Sequence, residues 1–236
     1  MARGTTLGQL VQDLRIEAGL DPNPALSLNV VPRLEQLIRR EQERLYEQFD
    51  WPFLRITRDV TLQAGDRYYD IPNDMNLERI ERVDYFWGDK WYGLERGIDV
   101  NDYNIHDSDA DVRQEPAARW DVKDTGSGEQ VEIWPIPVTN GRLVRFTGIR
   151  KLKPLITQAD RADLDDMMIV LFAAAEYLGE GKPEAQIKRQ KANDRMTTLK
   201  ARVIQTTTSS FNFNSSPDHN RIRDRTPQVA YVRNPI

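Results

Sequence analysis

The stretch YEQFDWPFLR, Tyr46 to Arg55, is where the hydrophobic period of the chain changes. Upstream, Leu34, Leu37, Ile38, Leu45 and Phe49 repeat at helical spacing, with Glu35, Arg39, Arg40, Glu43, Arg44 and Glu47 filling the other positions. That stripe is narrow, so much of the helix is expected to face water or a second chain. Downstream, Leu54, Ile56, Val60 and Leu62 alternate with Arg55, Thr57, Asp59 and Thr61, the period of a strand with one buried face. Pro52 disfavours a helical conformation at Trp51 and has no amide to donate. Phe49, Trp51, Pro52 and Phe53 are therefore read as a helix-to-sheet joint. The alternative is that Trp51 or Phe53 meets a neighbouring chain.

Upstream of that helix, Leu7, Leu10, Val11, Leu14 and Ala18 predict a first helix, capped by Thr5 or Thr6 and ended by Gly19. Asn29 is the expected cap of the second helix, with Pro32 in its first turn. Downstream, three hairpins are expected. Leu54–Leu62 turns through Ala64–Asp66 into Arg67–Pro72, Arg79–Trp87 turns into Lys90–Gly97, and Ala118–Lys123 turns into Gln130–Pro137. Arg142 to Arg150 follows as a last strand. Short strands with tight turns indicate an antiparallel sheet, sandwich or small barrel.

Helical spacing then returns. Asp160 is the expected cap of a core helix whose apolar face is Leu164, Met167, Met168, Leu171, Phe172, Ala175 and Leu178. After a break at Gly179–Pro183, a fourth helix runs from about Glu184 to Ile204, sparse in apolar residues. The expected class is α+β: an antiparallel bundle of about four helices with an inserted antiparallel β domain and an extended C-terminal arm. The expected divisions are 1–50, 51–153, 154–205 and 206–236. The arm is polar yet keeps Phe211, Phe213, Ile222, Arg223, Tyr231, Val232 and Ile236. It reads as a segment that orders against a neighbour.

The 236 residues carry a net charge of −4 and no cysteine. Disulfides, thiolate metal sites and cysteine nucleophiles are excluded. His106 and His219 lie far apart in loop-like sequence, which argues against a histidine triad or zinc site. Gly179–Lys182 lacks the spacing of a phosphate loop, and Ser127 lies outside a nucleophile elbow. Asp107, Asp109 and Asp111 have the spacing of a calcium loop, but Val112 and Ala118 stand where glycine and glutamate are needed. No catalytic residue, metal or cofactor is expected. The N-terminus lacks a signal peptide and the longest apolar run is too short to span a bilayer, so a soluble protein made in the cytoplasm is expected. Lys188, Arg189, Lys191 and Arg195 make the fourth helix basic. They form either a solvated face or a surface for DNA or an acidic partner. The aromatic residues of the β block, Trp91 and Trp134 among them, serve core and subunit packing or, alternatively, a glycan- or base-stacking platform.

Taken in order, LYEQFDWPFLR, LERGIDVNDYN, EIWPIP, FTGIRKL and DRADLDDMMIVLFAAAEYL resemble the head-to-tail adaptor proteins of short-tailed bacteriophages and related prophages. The likeness covers most of residues 1–205. It implies a structural, non-enzymatic virion protein at the neck, made in the host cytoplasm. Its expected form is a homo-oligomeric ring, typically of twelve copies, between the portal protein and the tail nozzle. Tail fibres are a further expected partner. DNA would pass through the lumen without specific binding, and no membrane is involved. The arm would meet the portal or a neighbouring subunit. Another neck or tail ring component, or a glycan-binding module, is the alternative.

Overall fold

The computed structural model describes residues 3–21, 23, 28–106, 112–126, 128–179 and 181–206. The chain is α+β and divides into two units: the residues before Phe53 together with those from Leu152 to the end of the last helix, and Phe53–Lys151.

The helical unit contains α1 (Leu7–Glu17), α2 (Val31–Gln48), α4 (Asp166–Leu178) and α5 (Pro183–Thr206). Thr6 caps α1 by accepting from the Gln9 amide. The start of α2 differs from expectation. Asn29 lies inside a 3-10 turn, Leu28–Val30, that runs directly into the helix, and Val30 takes the cap position with no side-chain bond. Pro32 in the first turn sets the backbone there instead. The start of α4 also differs: Asp165, not Asp160, caps it and accepts from the Met168 amide at 3.1 Å. Asp160 instead accepts from the amides of Ile156 and Thr157 in the preceding loop, and these bonds hold its carboxyl below the usual range.

Helix α4 is the centre of the unit and packs on α1, α2 and α5. Met168 through Ala175 are all buried, so α4 is apolar nearly all round, the signature of an enclosed helix. Met167, expected in the core, is 60% exposed. Helix α5 buries Ala185, Ala192 and Leu199, a seven-residue repeat, and leaves most other positions exposed.

The second unit is a sandwich of two four-stranded sheets. One has the order β1-β8-β3-β4, made of Arg55–Leu62, Arg142–Arg150, Met75–Trp87 and Lys90–Gly93. The other has the order β2-β7-β6-β5, made of Tyr68–Tyr69, Glu129–Trp134, Arg119–Asp124 and Glu95–Arg96. The β3–β4 and β6–β7 hairpins form as expected. The first expected hairpin does not: β1 pairs along its length with β8, while β2 pairs with β7 in the other sheet. Between the sheets lie Leu62, Met75, Val83, Tyr85, Trp120, Val131, Ile133, Val144 and Phe146. A short helix, α3 (Val100–Ile105), carries a capping box between Asp99 and Asp102. Gly148 faces a register shift in β3, where an added Cβ would stand 2.6 Å from the Arg79 carbonyl oxygen.

Candidate functional site

Trp51 is 2% exposed, and its indole Nε1 donates to the Leu45 carbonyl at 2.9 Å. That carbonyl lies in the last turn of α2, so the indole caps the helix from its own C-terminal side. Phe49 leaves the helix in extended conformation and packs edge-on against Trp51 at 5.0 Å, with the Lys200 ammonium 5.0 Å from its ring centre. Pro52 opens a 3-10 turn that ends at Leu54, and Phe53 within it is partly exposed.

The four basic residues of α5 have different surroundings. Lys188 is paired with Glu17 of α1 at 2.6 Å, and Arg195 with Asp165 at 2.8 Å. Arg189 lines a groove of about 750 Å³ with α2 and α4, where Arg40 pairs with Glu176, Arg44 pairs with Glu41, and Arg44 also stacks over Phe172 at 4.4 Å. Lys191 stays exposed beside Ile187. Arg195 compensates a buried carboxylate that is also the α4 cap. Arg195→Ala is therefore expected to destabilise the helical unit by ~1–3 kcal/mol, read as a lower urea midpoint, with Arg195→Lys recovering part of the loss.

On its α1 side the helical unit has a cavity of about 300 Å³ lined by Thr5, Asp13, Ile16, Asp166 and Met167, among others. Asp166 is 6% exposed; its Oδ2 accepts from the Thr5 hydroxyl at 2.5 Å, while its Oδ1 is buried without a hydrogen-bond partner. Burial, with the nearby charges of Asp165 and Asp13, raises its carboxyl above the ordinary range. An uncompensated carboxylate of this kind is costly to keep in a free subunit. Nothing in the sequence pattern marked this cavity. The one available signal was the run of Asp163, Asp165 and Asp166 ahead of an apolar helix.

In the β unit, Trp134 is buried, with the Arg67 guanidinium 5.0 Å from its ring and Tyr103 edge-on at 5.0 Å. The guanidinium of Arg145 lies 3.9 Å from the centre of Trp91. These two tryptophans are occupied by their own protein and do not form an open stacking platform. Among the described residues no group of His, Asp or Glu could hold a metal ion, and no helix is long and apolar enough to cross a membrane. Asp107–Asp111 and the arm residues Phe211, Phe213, Ile222, Arg223, Tyr231, Val232 and Ile236 lie outside the described residues.

No curated protein matches the chain. The family model described as SU10 adaptor protein matches residues 5–220, which takes in both the bundle and the sandwich. The chain belongs to the SU10 adaptor protein family of phage head-to-tail adaptors, structural proteins of the virion neck.

Proposed function

We propose that the protein closes into a ring, of twelve copies, that joins the portal protein to a short tail nozzle and provides the conduit for genome ejection. The observation that carries this reading is the family match over residues 5–220, because it takes in both the helical unit and the sandwich and not one module. Ring closure needs two unlike lateral faces on each subunit. Helix α5, buried along a single seam and open elsewhere, supports such a role. A net charge of −4 suits a duct through which DNA slides, since strong phosphate binding would retard it.

The test is to mix the purified protein with the portal protein of the same phage and image the product. The expected result is a ring on one face of the portal; no ring and no co-sedimentation would overturn the reading. The arm is proposed to dock on the portal and to order only there, so that its ordering entropy is lost at the assembly step itself. A chain ending at Thr206 is accordingly expected to keep the full chain's denaturation midpoint and to bind portal at least ~10-fold more weakly. That ratio corresponds to 1.4 kcal/mol, a small part of what docking an apolar segment supplies. Unchanged binding would remove the arm from the interface.

A further inference from the structure

The cavity at Asp166 and the loop before α4 are complementary, and they lie on different flanks of the helical unit. On one flank the cavity is acidic and apolar. Asp13 is half-buried with no ion-pair partner among the described residues, Asp166 lies behind it with an unpartnered oxygen, and Ile16 and Met167 form a rim 62% and 60% exposed. On the other flank, the segment 152–158 packs beside α2 and the N-terminal turn of α1. Gly8 of α1 donates its amide to the Gln158 carbonyl at 3.1 Å and lies so close that an added Cβ would stand 3.0 Å from Oε1, and Gln42 of α2 donates to the Lys153 carbonyl. That segment presents Ile156, 72% exposed, and Lys153, whose ammonium has no partner among the described residues. At 100° per residue, Asp13 stands about 140° round α1 from Gly8. One chain therefore carries the cation and the apolar knob on one side, and the carboxylates and the apolar socket on another.

We propose that these two flanks are the two halves of a head-to-tail contact between copies of this chain: Ile156 of one copy seats against Met167 and Ile16 of the next, and Lys153 reaches Asp13. Asp166, behind Asp13, adds to the field that holds the ammonium. The inference rests on the ring reading and names the surfaces that make the ring. The contact is heterologous, since a residue and its partner lie on different flanks, so it propagates from copy to copy and ends only by closure.

The native chain has no cysteine, so introduced thiols report this contact alone. Ile156→Cys and Met167→Cys, both at exposed positions, are made singly and together in the full chain, assembled with portal, and treated with a short bismaleimide. The double variant is expected to give a ladder well beyond the dimer, a mixture of the two single variants only dimers, and each single variant alone no product. A ladder absent from rings that do form would overturn the contact and leave the ring intact. A double variant that stops at the dimer would show an isologous contact and overturn it too. A wild-type chain that forms no ring at all would overturn the ring reading and this inference with it. Lys153→Glu is expected to weaken ring formation at least ~10-fold, and adding Asp13→Lys to restore most of it. Normal assembly by Lys153→Glu, or no restoration by the second change, would refute the proposed charge pair.

Discussion

Trp51→Ala is expected to destabilise the helical unit of the isolated chain by about 3–5 kcal/mol, the range for truncating a fully buried tryptophan. Two losses combine. The cavity left by a side chain now 2% exposed removes packing around the end of α2, including the edge-on contact with Phe49. The Leu45 carbonyl also loses the indole donor that satisfies it. Trp51→Phe separates the two. It keeps most of the volume and loses the hydrogen bond, and is expected to cost only ~1 kcal/mol. Urea denaturation of both variants is the measurement. A Trp51→Ala chain as stable as wild type yet unable to assemble would instead place the indole between subunits.

Arg67→Ala is expected to be equally severe in the β unit, at about 3–5 kcal/mol. Glu132 is 0% exposed and lies at 2.5 Å from Arg67 Nε, with the Tyr103 hydroxyl donating to its other oxygen at 2.9 Å. Removing Arg67 leaves a buried carboxylate with one neutral donor. It also uncovers the rings of Tyr68, Tyr103 and Trp134, which lie 4.8–5.2 Å from the guanidinium carbon. Arg67→Lys is expected to recover less than half the loss, because a point ammonium neither stacks on three rings nor holds the fork geometry. Arg67→Met with Glu132→Leu is expected to be more stable than Arg67→Ala alone, since no charge is then left buried. A double variant no better than Arg67→Ala would show that stacking on the rings, not the charge pair, carries the stability.

The change of period at Phe49–Leu54 located the boundary between helix and sheet, because proline and a switch from 3.6 to 2 are local signals. The β3–β4 and β6–β7 hairpins were legible for the same reason: Gly88 and Asp89 in the first, and Gly126 and Gly128 in the second, all at positive φ, are turns written in nearby residues. The β1–β8 pairing was not. Alternation tells which face of a strand is buried but not which strand lies beside it, and Arg55 finds Ile149 far along the chain. Helix α3 left a readable sign in Asp99 and Asp102, but its six residues carry too little apolar period to stand out. Of the candidate residues, Phe49, Trp51, Pro52 and Phe53 fall between α2 and β1, a placement set by their continuity in sequence. Lys188 and Arg195 have partners that no local pattern shows, Glu17 of α1 and the α4 cap Asp165, because those residues are distant in sequence. Met167 shows the same limit: an apolar residue at helical spacing belongs to the core only if a neighbour covers it.

The pairing of β1 with β8 has a mechanical consequence. The sandwich begins on β1 and ends on β8, and Arg55, the first residue of β1, sits beside Ile149 near the end of β8, at one end of the sheet. Tension applied between the two connections at Phe53 and Lys151 would load the β1–β8 hydrogen bonds one after another, as a zipper is opened, instead of shearing all of them at once. The insert therefore yields easily to a pull that parts its two roots. A tear running up from the Arg55 end would first part Arg55 from Glu81, at 2.8 Å, and Arg58 from Asp74, before it reached Arg145 and Asp59, joined at 2.7 and 2.8 Å across the seam itself.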